Sequence, residues 1–260
     1  MDLRWLVPIT TVATIAVNGL ANALPIAGRL TGEISDSFPV LVTPAGYVFA
    51  IWGVIYLGLA GYAVWQSLPA QADDARVRAL VVPVSLGNVA NLAWILLWHN
   101  LLIGASLVAM LVLLGSLMVV YVRLRAPRRR GAAAVVSRGE RVWARGTFSV
   151  YLGWITVATV ANVTIALYDA GWDGGFVPAQ VWAAITLLVA TLLGGRMLQR
   201  FGDVGYAAVL VWAFVGIALA QWGATVVVGT AIVGVLALLF VAADRARADR
   251  AGTARGPAVS

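Results

Sequence analysis

The chain has no cysteine and no lysine, and His99 is its single histidine. Without thiols, disulfides, thiolate catalysis and cysteine-held metals are excluded. One histidine cannot build a two-ligand haem or metal site, and its place at the end of an apolar stretch reads as an interfacial polar residue. All 18 basic residues are arginine, a mark of genome composition with no mechanistic weight. Charged residues make up 11% of the 260, against roughly 25% in a soluble domain. Eight apolar stretches carry no Asp, Glu, Lys, Arg or His at all: 5–27, 44–65, 79–98, 103–122, 147–168, 177–195, 205–222 and 226–243. A charge at the centre of a spanning helix costs about 2.5–3.5 kcal/mol on insertion scales, so this absence predicts eight transmembrane helices. Proton relays and ion-coupled transporters usually keep an intramembrane Asp, Glu, His or Arg; none is present. No Ser-His-Asp set and no carboxylate pair falls in any span, so hydrolytic or acid–base chemistry has no residues to run on. The chain reads as a non-enzyme that requires no cofactor.

What is present is arginine between the spans and aromatic rings within them. Eight spans with both ends on one side place 17 of the 18 arginines on that side, leaving only Arg29 opposite. The positive-inside rule then puts both termini in the cytoplasm of a plasma-membrane protein. The net charge of +7 is accounted for by these connections and does not call for nucleic acid. Residues 1–27 read as a retained helix, although Ala21–Ala23 offers an A-x-A cleavage pattern. The first connection, 28–43, is polar and rich in turn residues, and 123–146 is a basic loop. Three parts are expected: a core over 1–170, three more apolar helices over 171–243, and a disordered cytoplasmic tail over 244–260.

Several spans carry amides and rings at helical spacing. In span five Tyr151, Trp154, Ala158 and Asn162 follow at steps of three, four and four, which confines them to one face. Span three places Asn88, Asn91, Trp94 and Trp98 on about a third of its circumference, with Trp98 equally suited to an interfacial belt. Span two offers Phe49, Trp52 and Tyr56, with Tyr47 near its start; span one offers Asn18 and Asn22 one turn apart. Amides on membrane helices avoid lipid, because an unsatisfied polar group there is costly. Each set fits either inter-helix hydrogen bonding or a wall of flat faces and single polar groups around a ligand. As ligand-binding candidates we take Phe49, Trp52, Tyr56, Asn88, Asn91, Trp94, Tyr151, Trp154, Ala158 and Asn162, with no metal or catalytic residue.

Spans two, three and five resemble the TspO/MBR family of tryptophan-rich sensory, or translocator, proteins. PAGYVFAIWGVIYLGLAGYA at 44–63 is similar to the family's second helix, with Trp52 and Tyr56 at its spacing of four. Asn91 and Trp94 match its third helix; Tyr151, Trp154, Ala158 and Asn162 match its fifth. NGLANALP and TGEISD look like an extended, longer-chain branch of the family. The resemblance covers about residues 5–170 and implies a five-helix bundle whose pocket binds porphyrins or, in animals, cholesterol and synthetic ligands. It further implies that Trp52, Asn91, Trp94, Trp154, Ala158 and Asn162 line or support that pocket, and that the protein forms homodimers. The chain departs from the pattern in keeping only Pro44 of a proline pair. It also has no Trp or Tyr in 28–43, so the light-driven porphyrin degradation of some bacterial members is not expected. Spans six to eight have no counterpart in the five-helix pattern. The resulting expectation is an all-α polytopic bundle that receives or senses a flat lipophilic ligand, foremost a tetrapyrrole such as protoporphyrin or haem, with membrane lipid as a further bound species. The alternatives are a transporter of an uncharged lipophile and a membrane assembly partner acting through the basic loop.

Overall fold

In the computed structural model, which describes residues 3–24, 26–127, 136–172 and 174–254, the regular elements are all helical. They are α1 (Leu6–Ala23), α2 (Thr31–Asp36), α3 (Ile51–Ser67), α4 (Ala75–His99), α5 (Ile103–Arg125), α6 (Thr147–Asp169), α7 (Ala179–Phe201), α8 (Val204–Ala220) and α9 (Thr225–Ala254). Short 3-10 turns lead into α1 and α3, and a π-helical turn, Glu140–Gly146, leads into α6. Among the described residues seven helical segments are long and apolar enough to cross a membrane, and α8 is an apolar helix of 17 residues. The expectation of an all-α polytopic bundle holds, with α8 shorter than the other spans. Leu57, Val64, Val122, Leu192 and Phe240 are exposed, as a lipid-facing surface requires and an aqueous one penalises.

The chain divides into two compact units, Met1–Val40 with Phe49–Asp173, and Leu41–Val48 with Gly174–Ser260. In the first, close packing runs from α3 to α1, α1 to α4, α4 to α5, α5 to α6, and α6 back to α3. The five helices therefore close a ring. A short turn at Asn100–Leu102, with Leu101 at φ +57°, forces α4 and α5 into antiparallel contact. Asp74 starts α4 by accepting from the Arg76 and Val77 amides, satisfying two of the donors a helix start leaves free. Gly58 and Gly61 let α3 press against Thr147 and Trp143; a Cβ at Gly58 would sit 2.8 Å from Thr147 Oγ1.

In the second unit α7, α8 and α9 pack on one another. Gly194 sits against Leu210 and Leu238, and Gly234 against Phe214 and Thr191, each too tightly to admit a Cβ. Such small residues let membrane helices gain dispersion contact where lipid supplies no hydrophobic drive. Residues 41–48 join this unit because they hydrogen-bond to α8. Ala45 N donates to Gly216 O (3.1 Å), Trp212 Nε1 to Val48 O (3.2 Å) and Gln221 Nε2 to Thr43 O (3.4 Å). Tyr47 meets Trp212 edge-on at 5.2 Å. The stretch taken from sequence as the opening of span two thus serves the C-terminal helices.

Two further sequence boundaries shift. The connection at 28–43 contains α2, where Glu33 reaches back to accept from Leu30 N at 2.8 Å, one half of a capping box at the start of six helical residues. The tail assigned to 244–260 as disordered is helix as far as Ala254, with residues 255–260 outside the described part. Arg and Ala favour helix, Arg245 pairs with Asp249 one turn on at 3.2 Å, and Arg245 Nη1 donates to Gln199 O at 2.7 Å.

The basic loop also proves shorter than 123–146, since helix resumes before residue 140; of its arginines, 128–130 lie outside the described residues. In a π turn residues five apart share a face, so Arg145 lies over Glu140. Glu140 is 2% exposed and accepts from Arg145 at 3.0 Å and Arg76 at 3.4 Å. Arg76 also donates to Leu124 O and Ala126 O, so one carboxylate ties the start of α4, the end of α5 and the approach to α6. Glu140→Gln is expected to lower unfolding free energy by about 1.5–3 kcal/mol, measured by denaturant melts in detergent.

Candidate functional site

Inside the ring of five helices, amides and hydroxyls of α1, α4 and α6 form a connected set. Asn88 Nδ2 donates to Thr11 Oγ1 (2.9 Å) and Thr10 Oγ1 (3.1 Å), and Thr14 Oγ1 returns a bond to Asn88 O (2.9 Å). One turn on, Asn18 Nδ2 donates to Asn91 Oδ1 (2.9 Å), and Asn91 Nδ2 donates to Tyr151 OH (2.7 Å). Asn18, Asn88, Asn91 and Tyr151 are all at most 2% exposed. These bonds fasten α1 to α4 and then α4 across the interior to α6.

The rings gather beside this ladder, with Trp52 at their centre. Tyr56 stacks on Trp52 at 5.4 Å, Trp52 on Trp94 at 5.9 Å, and Trp94 on Trp98 at 5.9 Å, with interplanar angles of 18°, 29° and 23°. Tyr151 and Trp154 meet Trp52 edge-on at 6.0 and 6.1 Å, and Phe49 meets Trp154 edge-on at 5.7 Å. α3 and α4 are not close neighbours around the ring, so Trp52 and Trp94 meet across its interior. Offset-stacked and edge-to-face pairs are the favoured arrangements for aromatic quadrupoles. Three polar atoms are buried here with no protein partner: Trp94 Nε1, Trp154 Nε1 and Asn162 Oδ1. Asn162 stands about 12 Å along α6 from Trp154, where its Nδ2 reaches Ser106 Oγ on α5 at 3.5 Å.

Of the ten candidates, the structure brings Phe49, Trp52, Tyr56, Trp94, Tyr151 and Trp154 into one cluster, with Asn91 bonded to its edge through Tyr151. Asn88 instead faces α1, as inter-helix bonding would have it. Ala158 is half-buried on α6 between the rings and Asn162. The rings lie against one another, so the space between them is filled by side chains and not held open as the hollow expected from sequence. Trp98 is no belt residue: it is 3% exposed and ends the stack, with Nε1 donating to Thr31 O (3.2 Å). His99, at the end of α4, is fully buried against protein. Its Nε2 lies 3.0 Å from Thr31 Oγ1 and its Nδ1 3.3 Å from Ile26 O, so it fastens the first connection to α4. Thr10, Thr11, Thr14 and Ser106 escaped sequence reasoning because hydroxyls on membrane helices usually bond back to their own carbonyls.

These observations define a multi-pass helical membrane protein built around a closed, aromatic-rich interior. The chain belongs to the TSPO-like protein family, whose family model matches residues 4–243. The match runs through α7, α8 and into α9, so these helices lie within the family's own extent, as the expected extended, longer-chain branch requires. Membership makes the protein a membrane sensor or binding protein in general terms. No curated protein and no solved structure matches the chain.

Replacing Asn91 by Leu strands the Tyr151 hydroxyl and one acceptor need of Asn18. Asn91→Leu and Tyr151→Phe are each expected to cost about 0.6–1.7 kcal/mol in unfolding measured in micelles. The double variant should cost clearly less than the sum, because both remove one bond.

Proposed function

We propose that the interior of the five-helix ring receives a flat lipophilic ligand of the tetrapyrrole class and that the protein senses or carries it without chemically altering it. The observation that carries this reading is the column Tyr56–Trp52–Trp94–Trp98, four rings stacked pair by pair, together with two indole N–H groups that bond to nothing in the protein, that of Trp94 within the column and that of Trp154 against Trp52. Parallel faces favour a planar guest, which inserts by turning one indole aside. The freed stacking is replaced by ring–guest stacking, so the exchange costs little dispersion energy. Trp94 Nε1 and Trp154 Nε1 would then donate to the guest, and Asn162 Oδ1 would accept from it. Such buried unpaired groups normally cost about 1–3 kcal/mol each, which a guest with polar ring atoms recovers. Carboxylates on that guest would lie towards water, since the spans hold no cation to pair them.

Both termini and the arginine-rich connections are assigned to the cytoplasmic side of the plasma membrane. Arg76 bonding near the end of α5, and Arg245 bonding to the end of α7, support a common basic end within each unit.

Protoporphyrin IX should bind the purified protein with a shifted absorption band. Trp52→Leu is expected to weaken binding about five- to tenfold, and Trp154→Ala combined with Asn162→Ala more strongly. Unchanged affinity in that double variant removes the ligand assignment. The absence of native cysteine allows a clean orientation test: in intact cells an impermeant maleimide should label Phe176→Cys, but Arg138→Cys only after permeabilisation.

A further inference from the structure

A recess lies where α3 ends and α4 begins, in the five-helix unit and apart from the aromatic column. It is a cavity of about 290 Å³ lined by Arg4, Gln66, Gln71, Asp73, Val77 and Arg78, among others. Gln66 is 1% exposed, and its Nε2 is engaged with Arg4 O (3.2 Å) and Ser67 Oγ (2.9 Å). Its Oε1 is buried with no protein partner. An acceptor left bare inside a recess calls for a donor from outside the chain. Arg4 and Arg78 outnumber the single carboxylate of Asp73, which is wholly exposed and only 3.6 Å from Arg78. The lining is therefore net positive. Val77 is buried and adds an apolar wall.

We propose that this recess binds a phosphate ester that also carries a hydroxyl. The phosphate sits between the Arg4 and Arg78 guanidiniums, whose donor geometry suits phosphate oxygens. The hydroxyl donates to Gln66 Oε1. Both a glycerol-type anionic lipid headgroup and a soluble polyol phosphate have this chemistry. The buried Gln66 acceptor separates the site from diffuse attraction of anionic lipid to a basic surface, which needs no hydroxyl.

The full-length protein would be tested by native mass spectrometry in micelles doped with phosphatidylglycerol or with phosphatidic acid, which has the phosphate but no headgroup hydroxyl. Glycerol 3-phosphate forms a third arm. Phosphatidylglycerol is expected to bind best, with affinity lowered about three- to tenfold by Arg78→Gln and by Gln66→Met, while Arg247→Gln, an equal charge change on exposed α9, leaves it unaltered. If glycerol 3-phosphate binds with the same variant pattern and the lipid does not, the soluble source is the ligand. The proposal fails if phosphatidic acid matches phosphatidylglycerol, if Arg247→Gln weakens binding as much as Arg78→Gln, or if no phosphate ester binds. Arg78 is exposed, so Arg78→Gln remains informative even where Gln66→Met lowers stability. Failure here leaves the tetrapyrrole reading untouched, because no residue is shared between the two sites.

Discussion

Hydrocarbon offers no hydrogen bonds, and the five-helix ring depends on that constraint. An amide facing lipid stays unpaired at a cost of several kcal/mol, so Asn18, Asn88 and Asn91 must turn inward and find one another, the threonines of α1, and Tyr151. Once these bonds are made, the rotation of α1, α4 and α6 about their own axes is settled. The indoles on the same helix faces are carried inward with them. The aromatic cluster is a consequence of the polar ladder as much as of ring–ring attraction.

This coupling makes the interior firm. Bonds along α1, α4 and α6 hold the helices while the rings between them are held mainly by dispersion and quadrupole contact, which are non-directional compared with an amide bond. On the proposed function, a planar guest would compete with a ring for such contact and leave the ladder intact. At one end of the stack Trp98 is tied to Thr31, and His99 to Thr31 and Ile26, so the first connection is built into the bundle and closes that end.

The basic end works differently. Glu140 satisfies Arg76 and Arg145 together, and the π turn exists to bring positions 140 and 145 onto one face. In the C-terminal unit the same economy appears as glycines: Gly194, Gly216 and Gly234 give up side chains so that neighbouring helices or residues 44–48 can approach. Side-chain amide bonding between helices marks the first unit, and glycine-mediated packing of α7, α8 and α9 the second.

Much of this could be read along the chain. The charge-free runs foretold every long helix, since insertion energy acts on local composition. The steps of three and four at Tyr151, Trp154, Ala158 and Asn162, and at Asn91 and Trp94, foretold which faces turn inward, because helical periodicity is a local property. Pairing across helices was beyond such reading. That Asn88 would serve α1 and Asn91 would serve Tyr151, three residues later on the same face, depends on which neighbour stands opposite. That Trp52 would reach Trp94 and fill the middle depends on the diameter of a ring closed by five helices. The docking of 41–48 on α8 joins positions more than 160 residues apart, through backbone groups that carry no side-chain signature. Composition and period decide what must leave water and which side faces in; only the assembled bundle decides who meets whom.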